Sequence, residues 1–540
     1  MLIPPTPAGI DDTDWEHACR CADLHLSAKV VWAYDSDRAG TADVIVGISR
    51  QSIDDSVYGA ALEAMRAAFD PAPIHARYRR LQLERERAAA RAALLTARLP
   101  AGHPRAWKRD DPDFVLSHHR YQLPVGQGGF HIGTLEALGP DPESWHRALT
   151  GDAIATADFL YAYDCGSDPI KGVVGAVRSV VARRASRRLD MLFVSHFDRD
   201  HICGIPHLLH KRRGFHVDTV VMPYLDDLDR IIAFGRHSRG ADDAAAEPFY
   251  LNMVVDPVGT MAAFDPRQIV MVMPSDEDEE GGFFDLPPSD PPKADPDRPQ
   301  WRVTDRQGLR DERPETRQTP DGASVIRRAE FDIAIGSGWR LKPYVKRASA
   351  EDRDAFAAAV EVLMRWPRGG FAERVSDKAQ RRLMVTKHRT AVSRAYAWAF
   401  GDKNETSLSL YSGPADTSNA GAVCYGMPLH ATARVGWLGT GDAGLRDPAA
   451  ITRFRNFYRD ELDWISTFVL PHHGSIHNYD PANPAIAAEL FVAAAQPTRD
   501  WKHPASEIVR AIKESGAKFR KVDAQPSSLF EERMIVFSSG

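Results

Sequence analysis

Residues 192–209 read LFVSHFDRDHICGIPHLL. The apolar run Met191–Val194 has the length and composition of a buried strand. His196, Asp198, Asp200 and His201 follow it within six positions. Alternation keeps His196, Asp198 and Asp200 in phase while His201 breaks it, so a turn at the strand's end can present ligands toward two neighbouring ions. Gly204 and the residues around it, ICGIPHLLH, predict that a helix begins directly after the turn. A polar turn that merely happens to hold two histidines and two aspartates is the bland alternative, and the density of the cluster weighs against it.

Two later stretches follow the same plan. Residues 436–444, GWLGTGDAG, form an apolar strand ending on Gly441-Asp442, which sets a carboxylate at a strand tip where it could bridge two ions. Residues 468–475, FVLPHHGS, form another that ends on His472 and His473. Spacing does not decide which of these two ligates, and His472 is favoured because it directly follows the strand. Three strands that deliver aspartate and histidine in turn meet the requirement of a dinuclear site. Two ions roughly 3.5–4 Å apart can bind a bridging hydroxide and clamp a phosphoryl or carbonyl group.

Outward from these strands, residues 116–540 alternate short β-like runs with glycine turns. YQLPVGQGGFHIGTLEAL (121–138) predicts two strands about a turn, FLYAYDCGS (159–167) a strand ending on Asp164, and VVGAVRSVVARRAS (173–186) a helix. The stretch 275–322 holds the acidic run Asp276–Glu280 and the proline-rich DLPPSDPPKADPDRPQ. It buries too little apolar surface to offset ordering entropy, so it reads as a disordered linker. A helical insertion is expected over about 350–400. Residues 1–115 read as a separate N-terminal α/β extension. Within it, VVWAYDSDRAGTADVIVGIS (30–49) predicts a strand, a turn and a second strand. SIDDSVYGAALEAMRAAF (52–69) has a helical period, and the arginine-rich Ala76–Leu99 predicts a long helix with a solvated face. There is no internal repeat.

The bulk properties bound the class. At 540 residues the chain is too long for one ordinary core. With 43% hydrophobic and 26% charged residues it reads as globular, and no apolar run is long enough for a membrane span. The N-terminus does not read as a secretory signal. Five scattered cysteines argue for a reducing compartment, so a cytoplasmic location is expected. A net charge of −6 neither demands nor forbids a nucleic-acid partner. Weaker signals have bland explanations. Cys19 and Cys21, near His17 and His25, lack a second cysteine pair, and Arg381, Arg382, Lys387, His388 and Arg389 read as a solvated helix face.

The order of these motifs resembles the metallo-β-lactamase superfamily, and within it the hydrolase domain of the ComEC DNA-uptake family. The resemblance rests on Val125-Gly126-Gln127-Gly128, then Asp164-Cys165-Gly166, then the signature from Ser195 to Gly204. Asn404–Leu408, Gly441-Asp442, Pro471–Ser475 and His503-Pro504 complete it in family order. It implies a four-layer αββα sandwich and a soluble, stand-alone metal-dependent hydrolase with two divalent ions, zinc or manganese, magnesium being a further candidate. By the resemblance His196 and Asp198 hold one ion, Asp200 and His201 the other, Asp442 bridges, and His472 completes the second site. Asp164 supports the ligands from behind, with His473 and Asn404 as supporting or alternative ligands. Asp200 and His503 carry over as catalytic, His503 either contacting substrate or donating a proton to the leaving group.

Two departures qualify this. Asp198 stands where the commoner superfamily motif has histidine, which raises the oxygen share of the site and shifts preference toward manganese or magnesium. A further metal-binding histidine, frequent between the first cluster and the bridging aspartate, has no counterpart here. Tyr224, Asp226 and Asp227 fall where it is expected, and His237, His388 and His430 are more remote candidates. The first metal site is therefore expected to be weak. The resemblance implies phosphodiester hydrolysis on DNA by a metal-activated hydroxide, with nucleic acid as the substrate partner. The lack of an apolar span in this sequence, unlike ComEC itself, predicts no membrane, and the N-terminal extension is a candidate surface for a protein partner. The alternatives are a hydrolase of a small ester, lactone or cyclic nucleotide on the same fold, or a degenerate-site binding component of a bacterial multi-protein system, defence systems being one candidate.

Overall fold

The computed structural model describes residues 3–31, 46, 53–76, 114–138, 148, 151–237, 248–274, 301–305, 317–319, 323–328, 331–335, 338–346, 348–400, 406–415, 420–425, 430–432, 434–496 and 502–538. The protein is α+β with two mixed sheets. It divides into two compact units: 1–91, 225–255 and 348–404 form one, and 92–224, 256–347 and 405–540 the other. Among the described residues, no helix is long and apolar enough to cross a membrane.

Among the described residues, the regular structure of the first unit is all helical. Its helices include Asp12–Val31, Asp55–Ala68, Asp227–His237, Pro248–Val255, Ala350–Met364, Gly370–Ser376, Lys378–Thr386 and Arg389–Phe400. Asp54, Ser349 and Asp377 cap three of them by accepting from backbone N–H groups of the first turn. Arg20, buried on the first helix, donates to the Trp366 carbonyl at 2.7 Å, just past the C-terminus of Ala350–Met364. Arg353 reaches Asp226 at 2.5 Å and Asp229 at 3.2 Å.

The strand part of the α/β extension expected of the N-terminal segment falls almost wholly outside the described residues. The segment's described regular structure is helical, and it shares a unit with 225–255 and the helices of 350–400. Val30 and Val31 end the first helix, and nearly all of the remainder of the predicted strand–turn–strand lies outside the described residues, as does the arginine-rich Arg77–Leu99. Cys19 and Cys21 are buried, and burial pushes their thiols up to about 11 and 12. Arg381 is also buried, donating to the carbonyls of Val255, Val375 and Ser376, so it holds chain ends together instead of facing solvent.

The second unit carries all nineteen described strands. In chain order they are β1 Phe114–Gln122, β2 His131–Ala137, β3 Phe159–Tyr163, β4 Arg188–Phe193, β5 His216–Pro223, β6 Gln268–Val272, β7 Trp301–Asp305, β8 Arg317–Gln318, β9 Ser324–Arg328 and β10 Phe331–Ile335, followed by β11 Trp339–Val345, β12 Leu408–Pro414, β13 Ala420–Tyr425, β14 His430–Thr432, β15 Gly436–Gly439, β16 Ile465–Val469, β17 Leu490–Ala494, β18 Lys518–Val522 and β19 Phe530–Ser538. One sheet runs β14-β13-β19-β1-β2-β3-β4-β5-β6-β9-β8, and the other β18-β17-β16-β15-β12-β11-β10-β7. Strands β3, β4, β5, β6 and β9 are parallel in the first sheet, and β15 to β18 in the second.

The two sheets share a core. Tyr161, Tyr163, Met191 and Phe193 from the first meet Trp339, Leu341, Leu410 and Trp437 from the second. The second sheet's other face packs on the helices Pro448–Phe457 and Ser506–Glu514 through Phe454, Tyr458, Ile508 and Ile512. Strands β7 and β8 correct the disordered reading of 275–322 at 301–305 and 317–318. WRVTD alternates apolar and polar residues, pairs with β10 and buries Trp301, a local pattern hidden by the proline-rich average of the window. Residues 275–300, with Asp276–Glu280, lie outside the described set.

Candidate metal centre

Each sheet delivers chemistry at the carboxyl ends of neighbouring parallel strands. In the first, β3 runs out into Asp164 and β4 into Ser195-His196. In the second, β15 runs out into Gly441-Asp442 and β16 into His472-His473. Backbone bonds fasten these tips together: Asp164 N to Phe193 O at 2.8 Å, Leu408 N to Ser195 O at 2.7 Å, and His472 N to Gly441 O at 2.9 Å. Asp164, His472, His473 and Gly441 all have positive φ, between 47° and 58°. For the three non-glycine residues this costs on the order of 1–3 kcal/mol each and persists only because the surroundings over-determine it. A Cβ on Gly441 would stand 2.3 Å from Ser407 Oγ and 2.7 Å from Ser195 Cβ, so no larger residue fits where the sheets meet.

Hydrogen bonding assigns the same tautomer to all four histidines. Asp164 accepts from Ser195 N and from Ser195 Oγ, each at 2.7 Å, and from His201 Nδ1 at 2.8 Å. With its only proton given to Asp164, Ser195 Oγ must accept from His196 Nδ1, 2.9 Å away. His473 Nδ1 donates to the Ala494 carbonyl at 2.7 Å. His472 Nδ1 lies 2.7 Å from Asn478 Oδ1, and Asn478 Nδ2 donates to the Asp442 carbonyl at 3.0 Å. The amide is thereby oriented, so His472 Nδ1 is a donor too.

The Nε2 atoms left over converge on carboxylates. His196 Nε2 is 3.5 Å from both Asp198 Oδ2 and Asp442 Oδ2. His201 Nε2 is 3.4 Å from Asp442 Oδ1 and 3.8 Å from Asp200 Oδ2. His472 Nε2 is 3.8 Å from Asp442 Oδ2, and His473 Nε2 is 3.0 Å from Asp200 Oδ2. Nitrogen lone pairs facing carboxylate oxygens repel unless cations, protons or metals, lie between them. His196 Nε2 and His201 Nε2 are buried without a hydrogen-bond partner among the described residues. Two donors each about 2.1 Å from one tetrahedral ion stand roughly 3.4 Å apart, which matches these spacings. His196, His201 and Asp442 form one group that could hold an ion, and Asp200, His201 and His473 another.

The electrostatics agree. Burial pushes the Asp200 carboxyl up, but the His201 and His473 imidazoles outweigh it and hold the group well below the usual carboxylate range. Burial lowers His201, yet Asp200, Asp164 and Asp442 overcome that and raise it well above the usual imidazole value. In the absence of a metal, these carboxylates retain a proton on His201. His503 stacks beside His472 and His473, with ring centroids 5.3 and 6.4 Å away. Burial, then the His473 charge, pushes it down to about 4.

The structure therefore gathers His196, Asp198, Asp200, His201, Asp442, His472 and His473, with Asp164 behind them and His503 alongside. Asn404 lies outside the described residues. The preference for His472 as the histidine of the Asp200–His201 site is corrected, since His473 meets Asp200 there while His472 faces Asp442. Strand alternation would send neighbouring side chains apart, and the left-handed backbone at both residues turns the two rings to the same site. Among the described residues, neither metal-capable group includes a proposed substitute for the absent histidine. Tyr224 lies under the Arg327 guanidinium, and Asp226 and Asp227 engage Arg353 and Arg230. The His430 side chain is outside the described set. Ser195, Ser407 and Asn478 went unassigned in the sequence because a lone hydroxyl or amide carries no ligand signature. No protein-family model matches this chain, and no curated protein matches it either.

Proposed function

We propose that the chain is a metal-dependent hydrolase of the metallo-β-lactamase fold, a four-layer αββα sandwich, and that it cleaves phosphodiester bonds in DNA. The observation that carries the metal reading is the convergence of four Nδ1-anchored histidines, Nε2 inward, on Asp198, Asp200 and Asp442. The ordered motifs from Val125 to Pro504 support the family and, through it, the substrate. His196, Asp198, Asp200, His201, Asp442, His472 and His473 would hold two divalent ions. When bound, such ions supply Lewis acidity toward a phosphoryl oxygen and a lowered pKa for water.

The chain's own groups do the rest. Asp164 and Ser195 fix the ring planes of His201 and His196, so the donors are preorganised before any ion arrives. Most of these ligands are buried at the two sheet ends, while Asp200 and His472 keep a partly exposed edge through which water and a substrate would reach them. His503, neutral near pH 7, is suited to contact the substrate as a hydrogen-bond partner and not to serve as a proton donor.

The test is cleavage of single- and double-stranded DNA by wild type, Asp200→Ala and Asp442→Ala, with manganese, magnesium and zinc supplied separately. Manganese-dependent cleavage that both variants lose is the expected result. Two bound ions without cleavage would overturn DNA as substrate, and no bound ion would overturn the hydrolase reading.

A further inference from the structure

His472 and His473 are adjacent in the chain yet address different carboxylate oxygens. Asp442 Oδ2 faces His472 Nε2 at 3.8 Å and His196 Nε2 at 3.5 Å, and His196 Nε2 in turn faces Asp198 at 3.5 Å. Asp442 Oδ1 faces His201 Nε2 at 3.4 Å. Asp200 Oδ2 lies 3.8 Å from that same nitrogen and 3.0 Å from His473 Nε2. The donors sort into two sets, one about each oxygen of Asp442. Each set comprises two histidines, one further aspartate and one oxygen of the shared carboxylate.

Resting on the dinuclear reading above, we propose that His472 completes the His196–Asp198 site, while His473 serves Asp200–His201, and that Asn478 is the positioning residue that makes His472 a ligand. The first site then needs no histidine from elsewhere in the chain, and the weakness expected of it disappears.

Asn478 is fully buried and pinned by its backbone from both ligand loops. Its N–H donates to Ser475 O at 3.1 Å, and its carbonyl accepts from Leu445 N at 2.8 Å. Its side-chain amide then closes a bridge, Oδ1 accepting from His472 Nδ1 and Nδ2 donating to the Asp442 carbonyl. An amide between a ring N–H and a carbonyl has one satisfactory orientation, so it admits one His472 tautomer, with the Nε2 lone pair toward Asp442. Removing the amide frees the ring to take its proton on Nε2, where it can no longer ligate.

The test is manganese titration of the full chain, read by electron paramagnetic resonance, with 15N resonances of labelled histidine reporting the tautomers. Wild type is expected to bind two ions as a coupled pair. His472→Ala and His473→Ala should each retain one uncoupled ion. Asn478→Leu should weaken one ion by about 10–100-fold, leave the other unchanged, and shift His472 away from its Nδ1–H form. Asn478→Asp keeps the acceptor toward His472 and should keep that tautomer, which provides the readout if the leucine variant fails to fold. Two wild-type-affinity ions in His472→Ala, loss of both ions in it, or unchanged affinity and tautomer in Asn478→Leu would overturn the assignment. Wild type that binds fewer than two ions would overturn the dinuclear reading itself, and the assignment with it.

Discussion

The second unit buries histidines in two places, and they behave in opposite ways. His118 and His131 sit in the core between the sheets, their rings against Trp339 (4.4 Å) and Trp437 (4.0 Å). Burial, then the Arg120 charge, holds both well below the usual imidazole value, and burial with Arg533 pushes His119 down to about 3. At the candidate metal centre His201 is as deeply buried, yet three aspartates reverse the sign. Burial alone makes histidine a neutral packing ring, whereas facing carboxylates make it a binder of cations. Arg120 sharpens the contrast, because its charge is taken up by Glu532, the Val435 carbonyl, Ser466 and Thr467, so the carboxylate beside the core histidines is already paired with a cation.

The largest test of that contrast removes the shared carboxylate. Asp442→Ala is expected to lower metal-dependent hydrolysis by on the order of 10³-fold, whereas His131→Phe leaves it within a few-fold, both read from initial rates. Next, Asp164→Asn presents an amide N–H where two donors now converge, and is expected to weaken both ions by about 10–100-fold in a manganese titration.

Acid distinguishes the two groups in the other direction. The core histidines have folded pKa values below the free value of about 6.5, so as pH falls through that value the unfolded chain takes up protons that the folded chain refuses. Stability is therefore complete above about pH 6.5 and falls by ~1.4 kcal/mol per pH unit for each such histidine below it. Denaturant midpoints at pH 7 and pH 5 should show His131→Phe losing about 2 kcal/mol less than wild type. The smallest effect belongs to an exposed histidine: His216→Ala should change stability by less than about 0.5 kcal/mol in the same assay.

Much of the site was legible because its strands are short apolar runs that each end on a chemical residue. Met191–Val194 before His196, Trp437–Gly439 before Asp442, and Phe468–Leu470 before His472 all carry that signature. The roles of His472 and His473 were not legible, because they depend on left-handed backbone at two consecutive non-glycine residues, which no local propensity favours. Ser195 and Asn478 act through other side chains, and only tertiary geometry reveals which. In the fold, residues 350–400, read as helical in the sequence, form four helices. The strand Trp301–Asp305 was masked by the prolines before it, and the buried role of Arg381 looks in sequence like any exposed arginine.

The division of the donors between two sheets has a consequence for how the protein matures. Residues 202–441 intervene between His201 and Asp442, so the chain emerges with half of a cation site long before the other half exists. Strands β3 and β4 alone can offer only a loose, solvated set of ligands. Tight capture waits for β15 and β16 to pair and for the sheets to close on Trp339 and Trp437, a long-range step that costs loop-closure entropy and is slow for that reason. A cation held there would act as a latch on completed folding, opposing the reopening of the contacts between the two sheets.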